Sequence, residues 1–269
     1  MSAVAIEPVR QAHSGMQEFL DECPEVNVSE QEYIRLLGYP LQFELADRAR
    51  ELADWARGWY RQNGRPWIYA RHAGKLALAN DKVMIDGVEF SSKALRKQFH
   101  AAGAAAAVLA AVSAGAECEE KARQLWQEGK PDEYFFLEIY GSAVVEHLLT
   151  AAGARFCAWA DANNLAVLPH YSPGYPGWPI EDQGALLQLI VGNTSPPGGR
   201  IEVMRTGMLR PKKSQLAVFG LTRHLNRVGN LAELVPCENC CLPACQYRRA
   251  EYKSARRRLE DVGRLQFRD

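Results

Sequence analysis

Between His170 and Pro179 the chain reads His-Tyr-Ser-Pro-Gly-Tyr-Pro-Gly-Trp-Pro. Its three prolines remove backbone donors and fix φ, and its two glycines open backbone angles closed to other residues. Such a segment cannot lie in a helix or a sheet ladder, so it must be a stiff loop. Tyr175 and Trp178 give that loop flat faces with polar tips, and Gly174 permits close approach to the main chain. A surface turn pinned by aromatic rings and a prepared ligand seat fit this composition equally well.

The flanking segments set the fold class. Pro131 to Ala162 reads as one long helix, with Asp132 and Glu133 where the dipole favours negative charge. Glu181 to Val191 returns to helix. After the Ser195–Gly199 loop, Ile201 to Arg205 and Ser214 to Thr222 are expected strands joined across Gly207 and Pro211. Nearer the N-terminus, Ser29 and Glu32 form a capping-box pattern that opens a helix ending at Gly38 and Pro40. Leu41 to Tyr60 is a second amphipathic helix. Asn80-Asp81 separates two strands of a hairpin, Lys75 to Ala79 and Lys82 to Ile85, and Asp86-Gly87 turns the chain again before Val88 and Phe90. Ser92 to Ala114 is expected as one helix whose alanine-rich half lets neighbours pack tightly. The mixture is neither a regular alternation nor all of one type, which predicts an α+β fold. The expected divisions are a partly ordered leader at 1–28, one domain at 29–225 and a cysteine-bearing basic tail at 226–269.

Charge narrows the partners. Lys and Arg total 32 against 32 acidic residues, so no global field draws the chain to nucleic acid or membrane. No stretch offers the roughly 18 uncharged apolar residues of a membrane span, and a soluble, cytoplasmic protein is expected. Dinucleotide, P-loop, H-E-x-x-H and G-x-S-x-G motifs are missing, as is a D-x-H-x-x-G corrinoid-ligating motif.

Four of the seven cysteines, Cys237, Cys240, Cys241 and Cys245, crowd into nine residues. In a reducing compartment that density suits thiolate ligation of zinc or an iron-sulfur cluster, with Cys23, Cys118 or Cys157 able to complete the set. Arg248, Arg249, Lys253, Arg256, Arg257 and Arg258 follow as a basic helix. A solvated helix or a docking face for an acidic electron donor explains it better than a nucleic-acid arm. The alternative reading of the whole chain remains a metal-containing electron-transfer or nucleic-acid-binding module built on this tail.

Several of these residues resemble one family in order. Ser172 to Tyr175 is similar to the Ser/Ala-Pro-Gly-Tyr loop of the activation domain of vitamin B12-dependent methionine synthase and of its stand-alone relatives. Trp178 to Gln183 resembles that family's Trp-Pro-acidic stretch, and Thr206 to Ser214 its run of small residues, methionine, proline and serine before a strand, here Gln215 to Leu221. Tyr33 to Tyr39 and Glu138 to Glu146 look like stand-alone members. The resemblance touches most of the chain from Tyr33 to Leu221.

That resemblance implies a methionine synthase activation domain-like fold, a twisted antiparallel sheet with flanking helices. It implies binding of S-adenosylmethionine and reductive methylation of cobalamin, or another corrinoid, carried by a partner methyltransferase, in the context of methionine biosynthesis. A flavodoxin- or ferredoxin-like protein would donate the electron. The chain would be an accessory component, with no acid or base of its own, holding the methyl group in line with cobalt. The implied ligand-contacting residues are Glu146, His170, Ser172, Pro173, Gly174 and Tyr175. His170 stands where the family places an arginine; it is a poorer partner for a carboxylate and is fully charged only when protonated.

Overall fold

The computed structural model describes residues 18–40, 43–192 and 201–228. Its centre is a strand that is mostly alanine and valine. Ala106–Ser113 alternates its side chains between two cores: Val108, Ala110 and Val112 enter one, and Ala107, Leu109 and Ala111 the other. A strand buried on both faces needs apolar residues at every position, and small ones where helices approach closely.

In chain order the elements are β1 (Glu18–Asp21), α1 (Glu30–Leu36), α2 (Asp47–Asn63), β2 (Trp67–Ala73), β3 (Leu76–Ala79), β4 (Lys82–Ile85) and β5 (Val88–Phe90). There follow α3 (Lys93–Ala102), β6 (Ala106–Ser113), α4 (Ala116–Gln127), α5 (Pro131–Ala162), β7 (Ala166–Val167), α6 (Gln183–Val191), β8 (Glu202–Val203), β9 (Leu209–Arg210) and β10 (Ser214–Thr222). The main sheet has the order β1-β2-β6-β10-β7, with antiparallel pairing throughout. One face carries α1, α2 and α5; the other carries α3, α6 and the small β3-β4-β5 sheet. This is the expected α+β arrangement of an antiparallel sheet with flanking helices.

Local chemistry accounts for the elements that were expected. Ser29 Oγ accepts from Glu32 N at 3.2 Å, capping α1. Asn80 and Asp86 adopt φ of 47° and 46°, which their short polar side chains tolerate, and the two turns fold β3, β4 and β5 into a meander. Pro131 sits in the first turn of α5, where its missing N–H has no partner to lose. By length and composition α5 is apolar enough to cross a membrane, but 61% of its most apolar stretch is buried inside this fold, where it covers the sheet.

Three expectations change. The helix expected over Ser92 to Ala114 ends at Ala102, because Gly103 takes a left-handed conformation (φ 62°, ψ 42°) and the alanine-rich stretch becomes β6. The second helix begins at Asp47 rather than Leu41 and runs to Asn63. Glu202–Val203 pairs with Leu209–Arg210 around Gly207, whereas β10 lies between β6 and β7, so the two expected strands belong to different sheets. Within the partly ordered leader expected at 1–28, residues 18–21 pair with β2 as the edge strand of the sheet. The Ser195–Gly199 loop and nearly all of the cysteine-bearing tail lie outside the described residues.

Candidate functional site

The loop expected at 170–179 lies along the open edge of β10. Leu168 N donates to Gly220 O at 2.8 Å, and Tyr171 exchanges two 2.9 Å bonds with Val218. Beyond Tyr171 the chain leaves the ladder and closes on itself. Tyr175 N donates to Ser172 O, Gly174 N to Trp178 O and Trp178 N to Tyr175 O, all within 3.1 Å. Gly174 and Gly177 hold φ of 89° and 81°, which no other residue type adopts cheaply.

Below the loop, Trp178 is buried against Phe90 and stacked parallel to Tyr171. Its indole N–H donates at 2.9 Å to Asp182 Oδ2, which also accepts from Ser91 N at 3.1 Å. The Tyr171 hydroxyl donates to Pro176 O. The polar tips foreseen for this aromatic cluster are therefore satisfied within the protein, and they set the loop's shape.

Above the loop, Gln215 joins two of its side chains and His170 reaches one of them. Gln215 Nε2 donates to Ser172 Oγ at 3.0 Å and to Tyr175 Oη at 2.9 Å. His170 Nε2 lies 3.3 Å from the same Tyr175 hydroxyl, and its ring packs 5.5 Å from Phe219. Ser172 and Pro173 are buried, Gly174 is exposed, and His170 and Tyr175 are half-buried. The loop is thus rigid underneath and open at Gly174.

Helix α5 packs against β10. Lys213 Nζ meets Ser142 Oγ at 2.9 Å near the start of β10, and a Cβ on Gly153 would stand 3.4 Å from Phe219 farther along. Helix and strand consequently run in the same direction. Glu146 follows Ser142 by about 6 Å on the same helix face. Gln215 follows Lys213 by about 7 Å on the same strand face. That register sets Glu146 about level with Gln215 along the two elements. On its other flank Glu146 lines a groove of about 270 Å³ with Asn27, Ser29, Glu32, His147 and Thr150. His147 sits by the chain at Asn27 and Glu25.

Of the residues singled out in the sequence, His170, Ser172 and Tyr175 share a hydrogen-bonded cluster, Pro173 and Gly174 complete its turn, and Glu146 stands on the facing helix. Gln215, which ties the cluster together, stands in the sequence only as the first residue of an expected strand. A glutamine entering an otherwise apolar strand, Gln215 to Leu221, is the signal that marks it.

Cys237, Cys240, Cys241 and Cys245 lie outside the described residues, as does the basic helix that follows them. Among the described residues no group of three or more His, Cys, Asp or Glu is arranged to hold a metal ion. Cys118, one of the residues considered to complete such a site, packs in the core with its Sγ 3.8 Å from Leu137 O, and burial pushes its thiol up to about 12.

No described protein family and no curated protein matches this sequence. Among solved structures, the crystal structure of the MetH reactivation domain bound to AdoHcy matches over 94% of this chain and 86% of that one, with a TM-score of 0.53 and 12% identity. Likeness at that identity is likeness of fold: this chain has the fold of the MetH reactivation domain.

Proposed function

We propose that the chain binds S-adenosylmethionine between the Ser172–Tyr175 loop and α5 and presents it to a corrinoid-bearing methyltransferase. The observation that carries this reading is the cluster in which Gln215 and His170 meet at the Tyr175 hydroxyl and Gln215 also holds Ser172. It lies in a fold whose solved neighbour holds AdoHcy.

The residues fit such a ligand. Glu146 supplies a carboxylate for the ammonium or sulfonium, and His170 supplies a donor for the carboxylate of the methionine moiety. Tyr175 offers a ring face and a hydroxyl whose orientation Gln215 fixes. The N–H groups of Gly174 and Tyr175 are already bonded inside the loop, so adenine recognition at this backbone falls to carbonyl acceptors. Gly174, exposed and without a side chain, lets the ligand approach.

Bound there, S-adenosylmethionine supplies an electrophilic methyl group to the cobalt of a corrinoid on the partner, after a flavodoxin- or ferredoxin-like donor has reduced that cobalt. The chain's own residues perform no acid-base step. They hold the methyl carbon at one position and orientation, which removes much of the entropic barrier to transfer. A cytoplasmic location follows from such partners. The cysteine-bearing tail adds a zinc or iron-sulfur site to this proposal only through residues outside those described.

Isothermal titration tests the seat. Wild-type protein binds S-adenosylmethionine, Tyr175→Ala weakens binding about tenfold or more, equivalent to about 1.4 kcal/mol, and exposed Glu181→Ala leaves it unchanged. Equal affinities for the two variants would remove the loop assignment.

A further inference from the structure

Lys213 is bound on three sides. Its Nζ lies 2.9 Å from Ser142 Oγ and 3.1 Å from Glu138 Oε2, and Lys212 Nζ meets the other oxygen of that carboxylate at 2.7 Å. The aliphatic stem of Lys213 crosses α5 where the helix carries Gly141. A Cβ there would stand 3.1 Å from Lys213 Cγ and 2.8 Å from Cys118 Sγ. The main chain of Lys213 accepts from Ala114 N at 2.8 Å, beyond the end of β6. One residue therefore joins β6, β10 and α5. The side chains of Lys213 and Glu138 are only 14% and 13% exposed, so neither charge is well solvated without the other.

This clamp sits one helical turn before Glu146 and two residues before Gln215. We infer that Lys213 is a positioning residue: by holding Glu138 and Ser142 it sets the rotation and register of α5 on β10, so that Glu146 faces the sulfonium and makes the site prefer S-adenosylmethionine to S-adenosylhomocysteine. The inference rests on the Ser172–Tyr175 loop being the seat for that ligand.

The chemistry of the two ligands makes the distinction physical. They differ by one methyl group and one positive charge on sulfur. A carboxylate facing the sulfur attracts the charged ligand and loses that attraction when the methyl leaves, which favours release of the neutral product. Such selectivity depends on the direction of one side chain, so a small rotation of α5 abolishes it.

The test is titration of both ligands into wild type, Glu146→Gln, Lys213→Met, Lys213→Arg and the Lys213→Met/Glu146→Gln double variant, with thermal unfolding followed alongside. The expected result is a loss of about tenfold in preference for the sulfonium in Glu146→Gln, as befits one partly screened charge pair. Lys213→Met shifts the preference the same way, adds nothing in the Glu146→Gln background, and is rescued by Lys213→Arg. Should Lys213→Met fail to fold, Ser142→Ala removes a single contact of the clamp and must move the preference in the same direction. A variant that weakens both ligands equally, leaving their ratio at the wild-type value, overturns the inference while the seat stands. Wild type that binds neither ligand overturns the seat and the inference together.

Discussion

The amide of Gln215 donates a 2.9 Å hydrogen bond to the hydroxyl of Tyr175, forty residues earlier in the chain. The contact ties the Ser172–Tyr175 loop to the interior strand β10 and aims the Tyr175 hydroxyl. Replacing Gln215 with leucine removes it, together with the bond to Ser172, while preserving volume. We expect S-adenosylmethionine affinity to fall by about 1–2 kcal/mol, with a smaller loss of stability, since each such bond contributes roughly 1 kcal/mol. Titration calorimetry and urea unfolding of one variant separate the two effects; unchanged affinity would show that the Tyr175 hydroxyl is not used.

Asp182 fixes the loop from beneath by accepting from Trp178 Nε1 and Ser91 N on one oxygen. In Asp182→Ala the buried indole N–H loses its partner, at a cost of about 1–3 kcal/mol. Chemical denaturation should show that loss, and Trp178 fluorescence should shift because its hydrogen bond is gone.

His170 stands where an arginine would grip the methionine carboxylate bidentately. In His170→Arg, S-adenosylmethionine affinity should match or exceed the wild-type value, and in His170→Ala it should fall. Titration calorimetry of the two variants reads the difference. Unchanged affinity in His170→Ala would remove His170 from the carboxylate.

Burial raises the thiol of Cys118 to about 12 and also lifts the hydroxyls of Tyr33, Tyr60 and Tyr140 above their usual range. Each folded-state group stays neutral while its unfolded counterpart ionises, so the unfolded chain loses protons that the fold retains. Stability is full below the unfolded thiol value of 9.0 and falls as the pH rises from there toward about 12. Each fully ionised group contributes about 1.4 kcal/mol per pH unit. Thermal melts between pH 8 and pH 11 should record the decline. In native protein, alkylation mapped by mass spectrometry should label exposed Cys23 and spare Cys118.

What could be read from the sequence divides by range. Asn80-Asp81, Asp86-Gly87 and the Ser29–Glu32 cap are decided by residues within four positions of each other, and their elements stand where those residues put them. The loop at Ser172 to Trp178 was legible for the same reason: proline and glycine restrict or free the backbone regardless of context. β6 was not, because alanine favours helix and only burial on both faces makes it a strand. Gly103 and Gly115, bracketing a run that is apolar except for Ser113, are the signs that favour the strand. Gln215 and Lys213 escaped for a further reason. Their roles depend on α5 and the loop meeting across β10, a relationship between segments at least forty residues apart.

The central claim is that the Ser172–Tyr175 loop seats S-adenosylmethionine across from Glu146. A crystal of the protein soaked in that ligand tests it most directly. The account predicts adenosine density against Gly174 and Tyr175, with the sulfonium turned toward Glu146 and the methyl group open to solvent. Density elsewhere, or a loop closed over Gln215 with no ligand beside it, would contradict it.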